Sequence, residues 1–245
     1  MKNTSLKDLV MAECRVSLGC RLEESASFPC ASLSSLDLSN CVVETASGGA
    51  LRAASLLPLL HGLTALKQLN LSDKSAPPLN EAGVKAFFSG LSGFKTLKEL
   101  SIRNWRYDVS NPDTAYNETK AAAKKCGQLT TVRIDNSQFS TRSSECGKQW
   151  LVQALATGVP HLQELSLVNL GTTEAMRGAL TGAQLDQLAK TIFKTKWTGR
   201  ALRLIMDMRV VDTLVEMTRF SSRIEVTSEG RTVIFKRRWW PLRSK

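Results

Sequence analysis

The side chains in this chain that are best suited to catalysis or metal binding are two histidines and six cysteines. A metal site or a nucleophilic cysteine needs such groups in defined clusters, for example paired Cys-x-x-Cys segments or a cysteine beside a histidine. The chain contains no Cys-x-x-Cys pair, no glycine-rich phosphate loop and no Gly-x-Ser-x-Gly elbow. We therefore expect buried, reduced thiols, no metal, no cofactor and no catalysis. A cysteine-dependent or transferase activity in the C-terminal region is the nearest enzymatic alternative.

A second group of reactive side chains lies at residues 236–245, where five cations and two tryptophans occur together. Guanidinium and ammonium groups bind phosphates, and indole rings stack on bases or insert between apolar groups. Residues 194–245 carry 13 basic and 5 acidic side chains, against 20 and 17 in residues 1–193, so this end should be electropositive. The tail could cover the core, dock on a protein, or contact RNA, DNA or an anionic membrane. Its contact residues are predicted to be Lys236, Arg237, Arg238, Trp239, Trp240 and Arg243.

The other polar residues considered below lie within and beside copies of a repeated apolar pattern, L-x-x-L-x-L, which predicts the elements that hold them. Its copies begin at Leu33, Leu66, Leu97, Leu129 and Leu162, and their second apolar position recurs at steps of 33, 31, 32 and 33 residues. Alternation within each copy predicts a short strand with one buried face. A regular period of this length indicates stacked units, none of which can bury its own apolar face.

The pattern resembles the leucine-rich repeat, in the long, helix-containing form typified by ribonuclease-inhibitor-like horseshoes. In the first copy it extends to Cys41, at a position that often takes Asn or Cys in such repeats. The resemblance implies an α/β solenoid, a curved horseshoe segment with parallel strands on its concave face, helices outside and atypical terminal caps. The chain then divides into an N-terminal cap (1–30), the repeats (31–193), and a last repeat-like unit with a hairpin cap and the basic tail (194–245).

Helices are predicted between the strands, because apolar residues recur there at helical spacing. The expected helical segments are residues 46–60, a helix capped by Asn80, one carrying Trp150 behind Ser144, and residues 183–193. Residues 104–118 and 170–182 are rich in turn-forming residues, so we predict long connections that contact a partner.

The terminal units are predicted to depart from the repeat. An opening strand is expected at 14–18, and a further strand at 200–208 in which Leu204 takes the place of Leu167. A short helix at 210–218 and a hairpin formed by 223–227 and 231–236 should follow. Such atypical units are expected, since the last apolar layer of a stacked array must be shielded.

The predicted working surface consists of the strand positions that alternate with the buried leucines. In strand order they are Ser35, Asp37, Ser39, Gln68, Asn70, Ser72, Glu99, Ser101, Arg103, Thr131, Arg133, Asp135, Glu164, Ser166 and Val168. Two interpretations remain open: a solvated face whose charges pair across strands, or a recognition patch for a protein. The candidate contact residues are Asp37, Asn70, Glu99, Ser101, Arg103, Arg133, Asp135 and Ser166, with Trp105 and Tyr107 from the first long connection.

The overall composition narrows the class of protein. Hydrophobic residues make up 42% of the chain and charged residues 22%, which is typical of a folded, soluble protein. With no apolar stretch of membrane-spanning length and no secretory signal, we expect an intracellular protein of the cytoplasm or an organelle matrix, mitochondrial if a transit peptide was removed.

Two functions are consistent with these features. The favoured one is a non-catalytic interaction or scaffold module that binds a protein partner within a multi-subunit complex and takes no small-molecule substrate. The alternative is a structural or assembly subunit of a large ribonucleoprotein, such as an organellar ribosome, that contacts RNA through its basic tail.

Overall fold

The computed structural model describes residues 6–17, 32–44, 49–140, 149–169, 201–206, 224–229 and 232–237. In chain order the strands are β1 (Asp8–Val10), β2 (Arg15–Ser17), β3 (Ser35–Asp37), β4 (Val42–Glu44), β5 (Ala50–Arg52), β6 (Gln68–Asn70), β7 (Glu99–Ser101), β8 (Arg106–Asp108), β9 (Thr131–Arg133), β10 (Gln138–Ser140), β11 (Glu164–Ser166), β12 (Ala201–Ile205), β13 (Ile224–Glu229) and β14 (Thr232–Arg237). The helices are α1 (Leu57–Leu60), α2 (Glu81–Leu91), α3 (Pro112–Ala123) and α4 (Gln149–Gly158).

A large, mostly parallel sheet organises this mixed α/β fold. Its spatial order is β1-β3-β6-β7-β9-β11-β12-β14-β13. The strands from β1 to β12 pair in parallel, and β14 and β13 then add as an antiparallel hairpin. The strands predicted from the five repeats are therefore confirmed as neighbours in one sheet, and so is the C-terminal hairpin.

One face of this sheet is apolar because the central residue of each short strand points into the core. The central residues Leu36, Leu69, Leu100, Val132 and Leu165 are aligned in register and buried. They form one continuous core with buried residues of α2 and α4, such as Phe88 and Leu155. The flanking strand residues are mostly half-buried, so the opposite sheet face is polar.

Two of the helices, α2 and α3, begin at capping asparagines. The predicted cap at Asn80 is confirmed, because its side chain accepts a hydrogen bond from the Gly83 amide at 2.9 Å. Asn111 caps α3 in the same manner through the Thr114 amide at 3.1 Å, with Pro112 in the first turn. The predicted cap Ser144 and the predicted segments 170–182, 183–193 and 210–218 lie outside the described residues.

A turn of recurring geometry follows β3, β7, β9 and β11. Asn40, Asn104, Asn136 and Asn169 all have φ between 52° and 64°, the left-handed region that asparagine tolerates better than most residues. One residue further on, the side chain turns inward toward the preceding unit. Trp105 Nε1 donates to the Leu71 carbonyl at 2.8 Å, and Ser137 Oγ lies 3.5 Å from the Ile102 carbonyl. In the first repeat this inward position is held by the buried Cys41.

Two sequence-based predictions about the connections are wrong. Residues 104–118 do not form one long loop: they contain β8 and the first half of α3, because Asn-Pro here starts a helix rather than a turn. Residues 46–60 contain β5, a 3-10 turn at Ala53–Leu56 and only one turn of helix. Pro58 lies in the first turn of α1, which restricts where that helix can begin.

The predicted terminal strands also need correction. The sheet opens with β1, whose Leu9 aligns with Leu36, whereas the predicted opening segment 14–18 contains β2, which pairs with β4. Leu204 is in register with Leu165, not with Leu167, so the unit between them is two residues longer than predicted. Both errors involve units whose length departs from the regular period.

We predict that substitutions at two neighbouring aromatic residues have different effects on the free energy of unfolding. The Tyr107 hydroxyl is fully buried and has no hydrogen-bond partner among the described residues, so Tyr107→Phe should leave stability unchanged or raise it by up to about 1 kcal/mol. Trp105→Phe removes the donor to Leu71 and leaves a void, which should cost about 2–4 kcal/mol. Urea unfolding measures both; a larger loss for Tyr107→Phe would contradict this account.

Candidate functional site

The polar face of the large sheet brings the selected strand residues together. The register places Asp37, Asn70, Ser101, Arg133 and Ser166 beside one another on consecutive strands, and we call this line the central row. Adjacent strands are about 4.8 Å apart, so side chains in the row can contact their neighbours directly. Glu99 lies on the same face of β7, two residues before Ser101. Arg103 and Asp135 lie in the segments that follow β7 and β9.

A chain of hydrogen bonds, with the Asp37 carboxylate at one end, occupies the first half of the central row. Asn70 Nδ2 donates to Asp37 Oδ2 at 2.9 Å, and Asn70 Oδ1 accepts from Ser72 Oγ at 2.6 Å. The same Ser72 hydroxyl lies 2.9 Å from Ser101 Oγ. Polar groups on three strands are therefore held in fixed orientations.

An ionic cluster occupies the second half. Arg133 lies between two carboxylates, with Nη1 3.3 Å from Glu99 Oε2 and Nη2 3.5 Å from Glu164 Oε1. Gln68 Nε2 donates to the other oxygen of Glu99 at 3.0 Å. All these side chains are about one third exposed or more, apart from Glu164 at 22%, so each pair contributes well under 1 kcal/mol after solvent screening.

Asp135 is the most enclosed carboxylate on this face. Its Oδ1 accepts from Ser166 Oγ at 2.5 Å and from the Val168 amide at 3.0 Å. Arg103 Nε lies 3.0 Å from its Oδ2, although the Nε–H group is not aligned for a hydrogen bond, so that contact is ionic. With three partners and 12% side-chain exposure, Asp135 joins β9 to β11 and is a structural residue.

Between these clusters lies an open hollow of about 220 Å³. Leu36 and Leu69 contribute to its lining, and the polar residues that line it are Ser35, Asp37, Gln68, Asn70, Glu99, Ser101, Arg103 and Arg133. The selected face residues therefore surround one depression, apart from Asp135 and Ser166. This hollow is the candidate functional site.

Trp105 and Tyr107 do not belong to this surface, and their selection as partner contacts is corrected. Each is 1% exposed, and together with Phe87, Phe139 and Trp150 they form a continuous group of packed aromatic rings. Tyr107 stacks on Phe139 with centroids 5.0 Å apart. A short polar segment with two aromatics suggested an exposed loop, but the rings point into the core.

The basic tail is only partly within the described residues. Lys236 and Arg237 belong to β14, at the far end of the sheet from β3. Arg238, Trp239, Trp240 and Arg243 lie outside the described residues. The role of the tail therefore remains a prediction.

Two residues of the cluster were left out of the selected set, namely Gln68 and Glu164. Both flank the central row, and both contact a selected side chain across a strand pair. The signal for them was in the repeat itself, since the residue before each central apolar position shares the polar face.

Cys41, Cys126 and His61 behave as structural residues, whereas Cys14 is exposed, so the expectation of buried thiols is wrong at that position. Burial raises the pKa of the Cys126 thiol to about 11 and also raises the pKa of Cys41, so both are protonated near neutral pH. His61 packs edge-on against Phe94 and lies 3.3 Å from the Gly90 carbonyl. Within the described residues no group of three or more His, Cys, Asp or Glu side chains could hold a metal ion.

Comparison with known proteins identifies no relative. No protein-family profile matches the chain, and no curated protein matches it in sequence. Among the described residues, no helix is both long and apolar enough to cross a membrane.

The contacts of the face predict unequal stability effects at two charged residues. Asp135→Ala removes an acceptor from Ser166 and Val168 and leaves Arg103 unpaired, so unfolding free energy should fall by about 2–4 kcal/mol. Arg133→Ala should cost less than about 1 kcal/mol, because its pairs are half-exposed. Denaturant unfolding tests the ranking. Equal costs would mean that Asp135 is not the strand-joining residue described above.

Proposed function

We propose that the chain is a leucine-rich-repeat solenoid whose polar sheet face, curved into a concave surface, binds a protein partner without catalysis. The observation that carries the proposal is the central row, a register-aligned line of polar residues around one hollow. The apolar residues of the same strands are buried in one core with the helices, so the polar face is left to contact solvent or a partner.

The side chains of this face are suited to binding because many are already ordered. Asp37, Asn70, Ser72 and Ser101 hold one another through hydrogen bonds before any partner arrives. Immobilising a flexible side chain at an interface costs about 0.5–1.5 kcal/mol, and that cost is reduced when the residue is already fixed. The mixed charges also favour a partner of mixed charge over a uniformly charged polymer such as nucleic acid.

A charge-reversal pair tests this proposal. A partner recovered by crosslinking with the wild-type chain should be recovered at least about tenfold less with Arg133→Glu or Arg103→Glu, since like charges then face its complementary groups. Lys85→Glu is the matched control. Lys85 lies on α2, away from the face, and pairs with Glu118 of α3. Circular dichroism confirms folding of each variant. Undiminished recovery with both arginine variants would place the partner site elsewhere.

The alternative function, a ribonucleoprotein subunit, is supported by the charge distribution. Residues 194–245 hold 13 basic and 5 acidic side chains. Phosphate neutralisation makes such binding strongly dependent on salt, whereas a mixed-charge protein contact depends on it less.

A labelled single-stranded RNA measures this alternative. If the five cations of residues 236–245 bind phosphates, affinity should fall about a hundredfold between roughly 50 and 200 mM salt. Deleting residues 238–245, which leaves β14 whole, should then weaken RNA binding without changing recovery of the protein partner. Weak RNA binding whose affinity depends neither on salt nor on the deletion would exclude this function.

A further inference from the structure

The charges that line the hollow are compensated, with one exception. Arg133 pairs with Glu99 and Glu164, and Arg103 pairs with Asp135. Asp37 has no cationic partner within ion-pair distance among the described residues; its hydrogen bonds come from the neutral donors Ser39 N and Asn70 Nδ2. Within the described part of the chain, Asp37 is therefore the one carboxylate of the hollow that no cation compensates.

This carboxylate is held in a defined orientation. Ser39 N donates to Oδ1 at 2.8 Å and Asn70 Nδ2 donates to Oδ2 at 2.9 Å. Asn70 is itself fixed by Ser72, whose hydroxyl and amide both donate to the Asn70 carbonyl oxygen. Since the described residues give each carboxylate oxygen one donor, each oxygen can accept one more hydrogen bond from an ammonium or a forked guanidinium.

An independent feature lies beside Asp37. Val10 is its register neighbour on β1 and is 71% exposed, the one large hydrophobic residue with an exposed side chain in the described part of the chain. Lysine and arginine combine an apolar stem with a charged head, and the stem packs on apolar surface while the head finds a polar partner. Val10 and Asp37 together offer both surfaces in adjacent positions.

We propose that a lysine or arginine side chain of the protein partner places its charged head at Asp37, on the edge of the hollow, and packs its stem against Val10, which lies beside Asp37 and outside the lining of the hollow. The open hollow of about 220 Å³ leaves space beside Asp37 for the head group. This inference rests on the proposed function, since it names the partner group that the polar face recognises. Glu99 and the Gln68 side-chain carbonyl supply further acceptors along the same wall.

Amino-acid amides serve as probes in a nuclear magnetic resonance titration of the full chain. Nα-acetyl-arginine methylamide should shift the Ser39 amide and the Asn70 side-chain amide, the two donors to Asp37, with saturation in the millimolar range. The lysine analogue tests the ammonium arm. Nα-acetyl-citrulline methylamide has the shape of arginine without its charge. It should bind with at most about a tenth of the affinity of the arginine probe. Equal shifts with citrulline would overturn the proposal.

Substitutions assign the response to Asp37. Asp37→Asn, or Asp37→Ser should the first variant not fold, is expected to weaken arginine-probe binding about tenfold. Val10→Ser should weaken it less, through the stem alone. Asp113→Asn is the matched control, since it removes the same charge from an exposed position on α3. An unaltered response in both Asp37 variants would refute the assignment.

The same variants separate this inference from the proposed function. If charge reversal at Arg133 abolishes partner recovery while the Asp37 variants change neither recovery nor probe binding, the face binds its partner but the hollow does not select a cation. If the probe requires Asp37 and partner recovery ignores every face variant, the hollow binds cations and the proposed partner surface is wrong.

Discussion

The structure depends on one constraint: a three-residue strand cannot bury its own central apolar side chain. Leu69 on β6, for example, is covered only because β3 and β7 lie in register on either side and because the helices share its core. A slip of one residue would expose Leu69 and bury Asn70. Register is therefore fixed by burial, and every polar position between the leucines is fixed with it.

The polar face follows from that register rather than from any local preference. Because strands stack at about 4.8 Å, equivalent residues form rows, and like charges in a row would repel. The chain avoids this by separating its charged residues with Asn70 and Ser101 and by placing Arg133 between two carboxylates. Among the described residues, Asp37 is the one carboxylate of the hollow whose partners are all neutral donors. A small difference in row composition thus separates the proposed binding position from a self-compensated surface.

The regular part of this arrangement could be predicted from the sequence, and the irregular part could not. Five strands, the Asn80 cap and the terminal hairpin follow from periodicity and side-chain chemistry that act over a few residues. Trp105 was misread because its indole takes a position expected for a small polar group and still supplies the donor, to the Leu71 carbonyl. β1 was missed although Leu6-x-x-Leu9-x-Met11-x-x-Cys14 fits the repeat, because its step to Leu36 is only 27 residues. Packing in the assembled core decided the place of Trp105, and pairing with β3 decided that of β1, whose Leu9 is only partly buried.

The two proposed functions use opposite ends of the same sheet. Asp37 lies on β3, near the first edge, and the basic segment continues from β14, near the last. Six strand spacings separate these strands, or roughly 30 Å, which exceeds the Debye length at physiological salt by about threefold. Lys236 and Arg237, which belong to β14, therefore start from a strand too distant to neutralise Asp37. If both proposals hold, a protein partner at the hollow and a phosphate backbone at β14 would be compatible on one chain, because the pairing of the sheet keeps β3 and β14 apart.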